Sequence, residues 1–121
     1  MKRLLTCILA LMLTSCAFEP AYASQLVDCG EYTITFYCPC AKCCGHANKP
    51  TASGVMPQRW RTVATGKEFD FGTELVIEGF EQVRVVEDRG VGNGHIDIFV
   101  TDHNYALKLG TTKRHVYKVV K

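Results

Sequence analysis

The chain has no apolar run longer than ten residues, no internal repeat, no low-complexity stretch and no block of like charge. Each absence excludes something. The longest apolar run, residues 4–13, is about half of what a bilayer-spanning helix needs, so an uncleaved membrane anchor is disfavoured. The formal charge is +2 and falls to about +1 once residues 1–23 are set aside. No basic run is present, which argues against a nucleic-acid surface. Helical periodicity is also scarce, with a single good helix candidate in the whole chain.

What is present begins with an export signal. Lys2 and Arg3 precede the apolar run, and two processing sites follow it. Ala21-Tyr22-Ala23 fits the small-x-small rule of ordinary signal peptidase. Leu13-Thr14-Ser15-Cys16 has the pattern of a bacterial lipobox, in which Cys16 becomes the lipidated first residue. The expected organisation is a signal peptide over 1–23, or 1–15 with lipidated Cys16. A strand and cysteine-rich segment follow over 24–50. A barrel domain spans 51–121, completed by a strand at 32–37. The location expected is the cell envelope, periplasm or extracellular space, with membrane contact only through an N-terminal lipid.

Of seven cysteines, Cys29, Cys38, Cys40, Cys43 and Cys44 lie within sixteen residues. In an oxidising compartment these are disulfide candidates, and their odd number leaves at least one thiol over. Spacing does not give the connectivity. The rival reading is zinc, because Cys40 and Cys43 have knuckle spacing and Cys29 or His46 could add ligands. Disulfides are expected over metal, and no cofactor is expected. A catalytic cysteine has no assignable base. His46, His95, His103 and His115 show no metal spacing and read as surface or packing residues.

Strand-like runs fall at 32–37, 61–64, 74–77, 82–87, 95–100 and 114–120, with a helix at 102–109. Thr101 or Asp102 can cap that helix and Gly110 can end it. Six short strands and one helix predict an all-β fold, a small closed barrel, because closure removes exposed edges.

The chemistry concentrates at 85–110. Asp88 ends one strand, a glycine-rich turn follows, and Asp97 sits within the apolar run Ile96, Ile98, Phe99. Alternation points Ile96, Ile98 and Val100 to the core and Asp97 and Phe99 to one shared surface. An ionised carboxylate in that setting costs free energy unless it is solvated, paired or used. Two carboxyls brought together across one turn are one way to keep a proton on an acid near neutral pH. An acid beside an aromatic also suits a sugar groove, where a flat ring packs on a pyranose. The alternative is structural: Asp88 holding the turn and Asp97 paired with Lys or Arg. Trp60 either stacks on sugar or packs on the barrel, and Asp102 reads as a helix cap.

Several motifs occur in a recognisable order: Thr51-Ala52-Ser53-Gly54, Arg61-Thr62-Val63-Ala64, Phe71-Gly72-Thr73, Val86-Glu87-Asp88-Arg89-Gly90, His95-Ile96-Asp97-Ile98-Phe99 and His103-Asn104-Tyr105-Ala106-Leu107-Lys108-Leu109-Gly110. Together they resemble the three-aspartate (3D) domain. That domain is similar to the catalytic domain of MltA-type lytic transglycosylases and to the stationary-phase survival proteins of Gram-positive bacteria. The segment Tyr37-Cys38-Pro39-Cys40-Ala41-Lys42-Cys43-Cys44-Gly45 is similar to a cysteine cluster preceding the domain in one bacterial and phage subgroup. The resemblance covers about 32–120. It implies a double-psi β-barrel and cleavage of peptidoglycan glycan strands between N-acetylmuramic acid and N-acetylglucosamine, giving a 1,6-anhydro product. It implies Asp97 as acid/base and Asp88 as its neighbour, with no metal or organic cofactor; Phe99, Ser53 and Trp60 are the candidate substrate contacts. Two departures stand out. The family pattern Val-Ala-x-Asp is here Val63-Ala64-Thr65-Gly66, so the first aspartate is absent, with Glu68 and Asp70 as displaced substitutes. The turn between the other two aspartates is about two residues shorter. A non-catalytic wall-glycan-binding barrel and a disulfide-stapled envelope or phage accessory protein are the alternatives.

Overall fold

A computed structural model describes residues 25–40 and 49–121. Six strands close into a barrel: β1 (Gln25–Tyr37), β2 (Thr62–Thr65), β3 (Glu74–Ile77), β4 (Phe80–Asp88), β5 (His95–Phe99) and β6 (Thr112–Val120). One helix, α1 (His103–Leu109), lies between β5 and β6. Around the barrel the order is β1-β5-β2-β4-β3-β6. The pairs β1/β5 and β2/β4 are parallel, and the other four are antiparallel. Among the described residues, the expected closed all-β barrel with a single short helix is therefore what forms. Among the described residues, no helix is long and apolar enough to cross a membrane.

The core follows from strand alternation. Ile34, Val63, Leu75, Ile77, Val86, Ile96, Ile98 and Val116 are fully buried and form one cluster. Burying each such side chain contributes about 1.5–3 kcal/mol. A second, smaller cluster joins Tyr37, Ala64 and Phe99, with Val91 packed against it. The two clusters occupy opposite faces of β5: Ile96 and Ile98 enter the first, Phe99 the second.

The strands differ from the sequence expectation mainly in length. β1 begins at Gln25 rather than 32, because Gly30 does not end the strand but makes a bulge in it. The β1/β6 register shifts between Asp28 and Glu31, Gly30 takes φ +88°, and its N–H donates to the Asp28 carboxylate at 2.8 Å. A glycine adopts that conformation without steric cost. β4 extends at both ends of the expected 82–87, and β2 lies one residue later than expected. Asp102 caps α1, accepting from the Tyr105 N–H at 3.0 Å, and the Gly110 N–H closes the other end on Ala106.

A candidate active-site cleft at the ends of β4 and β5

β2 lies between β4 and β5, and Ala64 is the register partner of both Asp88 and Asp97. The two aspartates thus flank one small residue, two strand spacings apart, a Cα separation of about 9–10 Å. Ala64 leaves the space between them open. Both line a cleft of about 340 Å³ with Tyr37, Ala64, Arg89 and Phe99 among its other walls.

The two carboxyls are held differently. Asp88 accepts three hydrogen bonds: from the Tyr37 hydroxyl at 3.0 Å, the Ala52 N–H at 3.0 Å and the Arg89 N–H at 2.9 Å. Asp97 is half-buried and accepts from the Thr35 hydroxyl at 3.0 Å. The Thr35 oxygen also lies 2.6 Å from His95 Nε2. With the Thr35 proton committed to Asp97, the His95 Nε2–H is the donor to Thr35, giving a chain His95 to Thr35 to Asp97. Burial pushes the Asp97 carboxyl above the ordinary aspartate range. The Thr35 hydrogen bond and His95 pull it down, and the Asp88 charge pushes it up. Among the described residues the ion pairs are Arg61–Glu87, His115–Asp28 and Lys121–Glu74, so neither Asp88 nor Asp97 is tied up in one.

Arg89 reaches away from the carboxyls. Its guanidinium donates to the Phe69 carbonyl at 2.9 Å and lies 4.1 Å from the centre of the Phe71 ring.

The other sequence candidates separate. Phe99 lines the cleft but is 4% exposed, its ring edge-on to Tyr37 at 5.3 Å, so it forms the floor rather than an open platform. Ser53 is not among the lining residues; its hydroxyl meets Thr51, which is, at 3.1 Å. Trp60 lies outside the cleft. It packs against the main core and stands edge-on to Phe36 and Tyr105. Its carbonyl accepts from Arg84, and its backbone takes φ +65°. Trp60 is thus a packing residue here. Glu68 accepts from the Gly94 N–H at 2.9 Å, bracing the β4–β5 turn, and neither it nor Asp70 lines the cleft. Asp102 caps the helix as expected.

Gly66 explains why no carboxylate stands after Thr65. A Cβ there would meet the Asn93 side-chain oxygen, Glu68 Oε1 at 2.6 Å and the Asn93 backbone nitrogen at 2.8 Å. The short β4–β5 turn packs directly onto that position.

Cys29 is a free thiol packed against the main core, not a disulfide partner. Cys38 and Cys40 come together with His103, so His103 does more than the surface or packing role expected of it. Cys16, Cys43, Cys44 and His46, and with them both processing sites, lie outside the described residues.

Thr35 and Tyr37 carry no signal in the sequence that marks them as site residues, and His95, expected as a surface or packing residue, instead meets Thr35 beside Asp97. Alternation at 32–37 does put Thr35 and Tyr37 on one face, but which strand they would adjoin was not readable. No family model matches the chain, and a search of curated proteins finds no match.

Proposed function

We propose that this is an exported peptidoglycan-cleaving enzyme, a lytic transglycosylase of the three-aspartate type on a double-psi β-barrel. The observation that carries the reading is the pair Asp88 and Asp97 on either side of Ala64 in one open cleft, with Asp97 held above the ordinary carboxylate range by burial. An acid raised in this way keeps its proton to higher pH than a solvated aspartate does, which is the direction that donation to a glycosidic oxygen requires.

In the proposed reaction, Asp97 donates its proton to O4 of N-acetylglucosamine as the bond from C1 of N-acetylmuramic acid breaks. The same carboxylate then takes the proton of the muramic 6-hydroxyl as that oxygen bonds to C1, closing the 1,6-anhydro ring and restoring the acid. No second carboxylate nucleophile is needed, unlike in retaining glycosidases. Asp88, fixed by three donors, holds substrate and adds negative charge near Asp97. Thr35 and His95 orient the Asp97 carboxyl. The partner is the glycan strand of the wall, reached after export by residues 1–23 or through lipidated Cys16.

A second reading has its own observation. Gly66 has no room for a side chain, so the third carboxylate of the resembled pattern is absent and neither Glu68 nor Asp70 reaches the cleft. A barrel that binds wall glycan without cutting it fits that feature. Incubating the protein with peptidoglycan sacculi separates the two. Anhydro-muramic fragments seen by mass spectrometry, and lost in Asp97→Asn, are expected. Co-sedimentation with intact sacculi and no fragments would replace the enzyme reading with the binding one.

A further inference from the structure

β1 and β5 run parallel as neighbours with Tyr37 opposite Phe99, so the chain leaves both strands at one end of the barrel. Cys38 and Cys40 follow the first strand. His103 follows the second, as the first residue of α1. Residues more than sixty apart in sequence thereby meet. The Cys38 and Cys40 Sγ atoms are 2.9 Å apart, and His103 Nδ1 lies 3.3 Å from Cys40 Sγ and 3.6 Å from Cys38 Sγ. All three ligand atoms fall within 4.8 Å of one another, with Cys38 buried and the other two partly so.

We propose that Cys38, Cys40 and His103 form a zinc site that clips the end of β1 to the start of α1. Two soft sulfurs and an imidazole nitrogen on one small triangle are the donor set zinc favours. In a tetrahedral site with bonds of about 2.3 Å to sulfur and about 2.0–2.1 Å to nitrogen, sulfur and nitrogen stand about 3.6 Å apart. The two sulfur–nitrogen edges here are close to that. Bound thiolates stand about 3.8 Å apart on the same geometry, so the sulfur pair opens by about 1 Å on binding. Binding releases the two thiol protons and uses the Nδ1 lone pair, leaving the ring proton on Nε2. The three ligands leave one corner for a fourth.

The site adjoins the cleft without being part of its chemistry. Tyr37 and Pro39 line the cleft, and Tyr37 donates to Asp88. Fixing Cys38 and Cys40 therefore fixes one cleft wall. A disulfide between the same cysteines would consume both thiolates and exclude the metal.

The test is metal analysis of the full chain purified without chelator. One zinc per chain is expected, falling to background in the Cys38→Ser/Cys40→Ser double variant and in His103→Ala. Because His103→Ala can unfold along with losing metal, zinc X-ray absorption on the wild-type chain gives a second readout. Sulfur near 2.3 Å together with an imidazole nitrogen near 2.0–2.1 Å is expected there. Absence of zinc, a zinc shell without imidazole, full zinc content in His103→Ala, or a Cys38–Cys40 disulfide in mapped peptides would each overturn the proposal.

Discussion

Asp88 and Asp97 are the same residue type facing the same cleft, and their neighbours give them different work. Three donors converge on Asp88, whereas Asp97 has one donor and substantial burial. Burial lifts the Asp97 pKa above its unfolded value, so the folded state binds that proton more tightly. The stabilising contribution is full below the ordinary aspartate range and is lost as pH rises through the folded value. Asp97→Asn removes the charge and keeps an oxygen for Thr35 to donate to. Thermal denaturation should therefore show the variant more stable than wild type at neutral pH, with the gain shrinking to nothing in acid. A neutral-pH loss of stability would show that Asp97 is satisfied rather than poised. Gly66→Ala drives a methyl group into Asn93 and Glu68 and should cost about 1–3 kcal/mol in denaturant unfolding. At this scale the sequence was half legible. Alternation placed Asp97 and Phe99 on one face, but the Thr35 and His95 contacts depend on a parallel pairing that no local pattern encodes.

At the scale of elements, the strands were readable wherever apolar alternation was strong, and β3 falls on its expected residues. β1 is longer than the expected 32–37 because it continues through Gly30. Gly30 bulges within β1 rather than ending it, since a bulge and a turn make the same demand for positive φ. The helix was readable at both ends because caps are local chemistry. Asp102→Ala should cost about 1 kcal/mol, the usual value of an N-cap, measured by denaturant unfolding. An unchanged midpoint would mean that α1 is held by its flanking strands alone. The pairing of β1 with β5 was not legible, and it is what brings Cys38 and Cys40 to His103 across the barrel end. Knuckle spacing pairs Cys40 with Cys43, with Cys29 or His46 as added ligands, and does not reach His103, because spacing sees only neighbours in sequence.

At the scale of the whole molecule, closure of the barrel creates the site. With β2 set between β4 and β5, two acids nine residues apart along the chain come to flank Ala64, and the surrounding walls desolvate one of them. The expectation of a closed barrel rested on the cost of exposed edges in so small a domain. That reasoning gives closure but not strand order, and strand order is what decides which side chains converge. The most direct measurement is a carboxyl-carbon NMR titration of Asp97 in the folded protein and in Asp88→Asn. The account predicts an Asp97 midpoint above that of a solvated aspartate, with only a small downward change in Asp88→Asn, because burial outweighs the neighbouring charge. A midpoint in the ordinary aspartate range would contradict it.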